Sequence, residues 1–308
     1  MSLESAAGFP LYLMCDDMNL GRSMKLRAAR SMTDATQTVV RLRRGFTIVE
    51  SSGYLGIAVA FAAASQGYRL LCIVDPTRNR QTRAVMASTG AQVEVVTGNE
   101  DQSHLAARRA RARRFGTELG TVWLNQCENV ANPLAHYLTT ARAIDREFPD
   151  LDVLFVGAGT GGTAIGCRRY FAEAGNSTRV VAVDSVGSVN FGGARADRQS
   201  GGLGASGDMT LIEHGIDEVE WVEERNTVLM CWTMARHGLL VCGSSGTMAG
   251  AWSWLQEHVT EDGMRTSVDI GPGTGLFYFD SIRNADRCES RFPRSTLETD
   301  PVDQQLLS

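Results

Sequence analysis

Of the thirty basic residues in this chain, twenty-nine are arginine and one, Lys25, is lysine. The two types carry charge equally well, but only lysine has a primary amine that can shed its proton and condense with an aldehyde. A guanidinium stays protonated and forms no imine. A composition so biased against lysine keeps one where the amine itself is needed, which makes Lys25 the candidate covalent residue. Three glycine turns stand beside it as candidate binding loops: Glu50 to Gly56, Gly157 to Thr163 and Val241 to Thr247.

The second turn is the most explicit. The apolar run Leu151 to Val156 enters Gly157-Ala-Gly-Thr-Gly-Gly-Thr163 and then a helical stretch. Glycines let the backbone turn sharply and approach a ligand. A helix start offers unpaired N–H groups and a positive dipole end, so a phosphate fits there. The residues alone leave two functional readings open. Gly157, Gly159 and Gly162 match the dinucleotide fingerprint, with Asp184 near the position of its ribose acid; alternatively the turn cups one phosphate monoester. The first turn, with its exposed hydroxyls and amides, suits a carboxylate, and the third offers Ser244 and Ser245 as neutral hydrogen-bonding groups. One lysine with three such turns suits a small anionic cofactor, a carboxylate substrate and a covalent imine.

These loops need elements to hold them, and the pattern supplies two series. Strands are expected at Thr47 to Glu50, Arg69 to Val74, Gln92 to Val96 and Thr121 to Leu124, with helices between them and a further helix from Pro133 to Glu147. The alternation restarts at Leu151 to Val156, Arg179 to Asp184, Val219 to Val222 and Thr266 to Ile270. Strands separated by helical connections imply parallel sheets covered on both faces. The expected fold is α/β with two lobes, each a mostly parallel sheet flanked by helices. The smaller lobe is placed at 16–145, the larger at 1–15 with 146–288, and a polar tail at 289–308.

The net charge of −5 gives no whole-protein pull toward nucleic acid or an anionic membrane. Seven scattered cysteines without a C-x-x-C pair suggest a reduced, cytoplasmic protein and no zinc site. The first residues lack the basic and apolar segments of a signal peptide, and no run approaches the length of a membrane span.

Asn19-Leu-Gly-Arg-Ser-Met-Lys-Leu-Arg27, Ser51-Ser-Gly-Tyr54, Asn125-Gln126 with Asn132-Pro133, and Gly159 to Thr163 together resemble the cysteine synthase family of pyridoxal phosphate β-replacement enzymes. Val181 to Gly192 with Gly202 to Ser206 is similar to the branch that supplies 2,3-diaminopropionate by joining O-phosphoserine to glutamate. The resemblance implies a tryptophan synthase β-subunit-like fold and a homodimer acting on small amino acids; no metal is expected. It places the Schiff-base lysine at Lys25 and the cofactor phosphate on Gly159, Thr160, Gly161, Gly162 and Thr163. Ser244 falls where a serine faces the pyridine nitrogen, and Tyr54 stands where the family has an asparagine at the phenolic oxygen. Ser51, Ser52, Gly53 and Gln126 would hold the substrate carboxylate. Arg22 and Arg198 are the candidates for a phosphate leaving group. Leu20 and Leu26 also depart from the family's proline and aspartate, and the chain begins without the family's usual N-terminal strand. The sulfide-using reaction, an inactive cofactor-binding relative and a nicotinamide-dependent oxidoreductase built on Gly157 to Gly162 are the alternative readings.

Overall fold

The computed structural model describes residues 2–4, 10–40, 47–50, 53–98, 104–118, 120–196, 198, 202–205, 216–258 and 266–292. The chain forms two compact units, 19–132 and 1–18 with 133–308. The expected boundary near 145 would put the 133–145 segment with the other unit.

The unit 19–132 is built on a four-stranded parallel sheet in the order β5-β4-β3-β6, where β3 is Thr47–Glu50, β4 Arg69–Val74, β5 Gln92–Val95 and β6 Thr121–Trp123. Its helices are α1 (Lys25–Val40), α2 (Tyr54–Gln66), α3 (Arg80–Ser88) and α4 (His104–Gly116). Helix α2 is apolar all round and buries Leu55 through Ala60 with Ala62 and Ala63, as expected of a helix enclosed by neighbours. It stops at Gly67, whose left-handed φ of 73° lets Tyr68 N–H reach back to Ala63 O at 2.9 Å. Helix α3 starts where Asn79 accepts the Thr82 N–H at 2.8 Å. Val49, Leu71, Ile73 and Ala112 form a core closed by Val96, Phe115 and Trp123.

The other unit holds a six-stranded sheet, β1-β2-β10-β7-β8-β9, parallel except for the β1–β2 pair. Here β1 is Ser2–Glu4, β2 Pro10–Cys15, β7 Val153–Gly157, β8 Arg179–Ser185, β9 Glu218–Val222 and β10 Ser267–Gly271. Strands β1 and β2 are a correction, because the sequence reading gave no strand before residue 47. The run Leu11 to Cys15 is brief and its partner, β10, lies more than two hundred and fifty residues away (Ser267 opposite Leu11). Helices α7 (Gly162–Ala174), α8 (Glu224–Arg236), α9 (Thr247–His258) and α10 (Ala285–Arg291) belong to this unit. A single helical rod from Ala131 to Glu147 comprises α5 (Ala131–Ala135), a π-helical stretch (His136–Ala141) and α6 (Arg142–Glu147). Among the described residues no helix is long and apolar enough to cross a membrane.

Candidate active site

In the unit 19–132 the chemistry gathers at the carboxyl ends of the strands, where open parallel sheets bind ligands. Lys25 is the first residue of α1, and the turn before it is tightly specified. Asn19 donates its amide to Ser23 O at 2.6 Å and accepts Ser23 N–H at 3.3 Å, while Arg22 takes a left-handed φ of 54°. Burial pushes the Lys25 amine below its ordinary pKa, against the opposing pull of Cys127 and Glu50. A depressed pKa leaves more neutral amine at neutral pH, which is the form that attacks a carbonyl. Glu50 is the buried last residue of β3, and Cys127 lies in the loop beyond β6, next to Gln126.

Gly53 is buried and opens α2 without a side-chain cap. Tyr54, the first helical residue, is half-buried. Ser51 and Ser52 lie outside the described residues. Gln126 is half-buried, its main-chain carbonyl accepting from the Asn132 amide at 2.9 Å. Its side-chain oxygen is shielded from solvent and takes no hydrogen bond among the described residues, so it can serve a ligand.

Two arginines outside the expected set stand beside Gly53. A Cβ placed on Gly53 would lie 3.0 Å from both Cδ and one terminal nitrogen of Arg78. Asp75, buried just beyond β4, is 3.8 Å from Arg78 and 3.3 Å from Arg108. Thr77 bonds to the same carboxylate, which stays below its ordinary pKa although burial opposes this. Burial first, and the neighbouring Arg78 second, lower the Arg108 guanidinium. Two guanidiniums share one carboxylate, and Arg108 Nε is enclosed without a hydrogen-bond partner among the described residues. Sequence spacing could not have shown this, because Asp75 joins a strand end to the flank of α4.

The second unit carries the glycine turn between β7 and α7. Gly161 caps α7 at a φ of 75°, no side chain caps it, and Thr163 is buried in the first turn. The glycines are needed for space: a Cβ on Gly157 would come within 2.7 Å of Thr247 Cγ2, and one on Gly159 within 3.2 Å of Gly202 O. An uncapped helix start with close backbone approach fits a phosphate, and a shielded lysine amine fits an aldehyde. The chain thus supplies both groups that pyridoxal phosphate needs. Thr160 is half-buried in the turn. Ser244 lies in a 3-10 turn (Gly243–Gly246), its hydroxyl 3.0 Å from Cys242 Sγ and its side chain packed on Gly202. His136 is buried in the π-helical stretch. Its ring lies 3.0 Å from Thr140 Oγ1 and 3.4 Å from Thr163 Oγ1.

Arg198 donates to Leu203 O at 2.7 Å and its guanidinium fills the space beside Gly204. It braces the 202–205 loop. Arg22 is exposed. Asp184, the ribose acid of the dinucleotide reading, is fully buried and bonded to Ser185 N–H at 2.9 Å and to Ser188 and Asn190.

Comparison with known proteins completes the identification. A family model described as pyridoxal-phosphate dependent enzyme matches residues 2–265. N-(2-amino-2-carboxyethyl)-L-glutamate synthase of Ralstonia nicotianae is 34% identical over 274 residues, covering 86% of this chain and 80% of the relative. The synthase of the same name from Cupriavidus metallidurans is 34% identical over 273 residues with the same coverage. A solved O-ureido-L-serine synthase superposes with a TM-score of 0.81 at 26% identity, covering 92% of each chain. The nicotinamide reading of Gly157 to Gly162 is thereby overturned. The chain belongs to the pyridoxal-phosphate dependent enzymes and shares the two-sheet α/β fold of the cysteine synthase-like members.

Proposed function

We propose that the enzyme carries out β-replacement on an activated L-serine, with O-phosphoserine as the electrophile and an amine such as that of glutamate as the nucleophile, yielding a 2,3-diaminopropionate precursor. The observation that carries the choice of electrophile is the Arg78–Asp75–Arg108 cluster against Gly53. Its two positive charges and one negative charge leave one positive charge for an incoming anion, and guanidinium–phosphate bonds are among the strong charge-assisted ones. The names of the two curated relatives support the glutamate arm.

When bound, pyridoxal phosphate supplies the aldehyde for covalent attachment and a ring that accepts the electron pair left at the substrate α-carbon. Lys25 Nζ provides the attachment point. Released by the substrate amine, Nζ takes the α-proton as the Cβ–O bond to phosphate breaks, and returns it after the nucleophile's nitrogen has bonded to Cβ. The Gly53 turn and Gln126 hold the substrate carboxylate, Gly159 to Thr163 hold the cofactor phosphate, and Ser244 offers a neutral partner that does not protonate the ring nitrogen. Arg78 and Arg108 receive the departing phosphate. A homodimer in the cytoplasm is the expected setting.

The test offers O-phospho-L-serine or O-acetyl-L-serine with glutamate or sulfide, and follows phosphate release and product mass. Phosphoserine with glutamate is expected to give the fastest turnover. Arg108→Ala is expected to raise KM for phosphoserine about tenfold or more, the worth of one charged hydrogen bond, with little change for acetylserine. Faster reaction of acetylserine with sulfide would replace this reading with a sulfhydrylase.

A further inference from the structure

Resting on the reading of Gly159 to Thr163 as the cofactor's phosphate loop, we propose that Asn190 is a positioning residue for that phosphate, turning the Gly159 and Thr160 N–H groups toward it. The Asn190 amide nitrogen donates to Ala158 O and to Gly159 O, each at 3.2 Å. Gly204 N–H adds a second donor to Ala158 O at 2.7 Å. A peptide unit is planar and trans, so a carbonyl and the N–H of the next residue point in opposite directions. Holding the Ala158 carbonyl therefore aims the Gly159 N–H to the other side, and holding the Gly159 carbonyl does the same for Thr160. Two backbone carbonyls can only accept, which fixes the nitrogen of the side-chain amide on their side.

The anchor itself is rigid. Asn190 is fully buried. Its own N–H donates to Ser188 Oγ at 3.3 Å, which also accepts Ala205 N–H at 3.0 Å, and Val189 N–H reaches Ala205 O at 3.1 Å. Ser188 is tied in turn to Asp184 at the end of β8. The loop after β8 thus sets the peptide orientation in the loop after β7. Leucine at 190, branched alike but larger, would leave the Gly159 carbonyl without its side-chain donor; aspartate would keep the shape and set an acceptor against the two carbonyls and the Asp184 carboxyl.

The experiment compares wild type, Asn190→Asp and Asn190→Leu as apoproteins, each titrated with pyridoxal phosphate and with pyridoxal. Attachment at Lys25 is read by absorbance and by mass after borohydride, and the phosphorus resonance of the bound cofactor is recorded. Wild type is expected to prefer the phosphorylated form strongly. Both variants should lose about tenfold or more of that preference, keep pyridoxal attachment, and move the phosphorus resonance toward that of the unbound cofactor. Asn190→Ser, which retains one donor in a smaller side chain, should fall between, and it answers the question if either larger change prevents folding. Equal losses for pyridoxal and pyridoxal phosphate would overturn the proposal and make Asn190 a fold residue only. Variants that keep the full phosphate preference would overturn it as well. A wild type with no phosphate preference would instead sink the phosphate-loop reading, and the inference with it.

Discussion

Lys25 combines two properties that are separable by substitution: a positive charge and a condensable amine. Lys25→Arg keeps the first and removes the second. It is expected to reduce turnover about a thousand-fold or more, within the range for loss of a positioned acid–base group, and to leave no borohydride-stable adduct, as read by peptide mass. Retention of the adduct on another residue would displace Lys25 from its role. Its candidacy was legible from composition alone, because a lone lysine among arginines singles out amine chemistry. Glu50, Cys127, Arg78 and Arg108 were not. Their significance comes from meeting where the ends of neighbouring parallel strands face the flank of α4, and each in isolation reads as an ordinary polar residue. Arg198, the sequence's candidate for a phosphate leaving group, uses one N–H of its guanidinium on the Leu203 carbonyl.

At the scale of elements, α7 and the π-helical stretch illustrate how backbone spacing limits sequence. A Cβ on Gly166 would lie 2.3 Å from Pro133 O and 2.9 Å from His136 Cβ, so the two helical segments approach through a glycine. Backbone cannot yield as a flexible side chain can, and overpacking of this kind costs about 1–3 kcal/mol or more. Gly166→Ala is expected to lower the midpoint of thermal unfolding by several degrees and, on the proposed role of the glycine turn, to weaken cofactor retention, since His136 sits against Thr163 there. A melting curve that overlays wild type would show that the segments separate freely. The strands and helices from Thr47 to His258 follow from alternating apolar runs and turn residues, to within a few residues at most ends. Strand β2 escaped because its pairing with β10 is the longest-range contact in the sheet, and helix α1 because its buried face is made largely of small and hydroxyl residues, Ala28, Ala29, Thr33 and Thr36 around Met32. The π-helical stretch has no local signature in His136 to Ala141; it follows from packing against α7.

For the whole molecule, two fully buried carboxyls make stability fall as pH rises. Asp269 lies in β10 between β2 and β7, opposite Leu13 and Phe155, and is fully buried. Burial raises its pKa from 3.8 to about 8, against the hydrogen bond from Thr247. The geometry agrees with a neutral acid. Thr247 has one hydroxyl proton and two neighbouring acceptors, Asp269 Oδ2 at 3.2 Å and Ser244 O at 3.3 Å. A protonated Asp269 donates to Thr247, which then donates to the carbonyl of Ser244. Asp184 is raised in the same direction, to about 6, again mainly by burial. A carboxyl whose folded pKa exceeds its unfolded value holds a proton in the folded state that the unfolded chain has already lost, so stability falls as pH rises between the two values. For Asp269 that window runs from 3.8 to about 8, and for Asp184 from 3.8 to about 6. Asp269→Asn replaces the ionisable group with a neutral one that still meets Thr247. Its stability advantage over wild type, measured by denaturant unfolding of the apoprotein, is expected to grow from pH 5 to about pH 8 and to level off above it. Each pKa unit of difference is worth about 1.4 kcal/mol, so the divergence should be large enough to read in the midpoint alone. Parallel pH profiles for the two proteins would mean that Asp269 is ionised within the folded sheet, and that the hydrogen bond through Thr247 to Ser244 runs in the other sense.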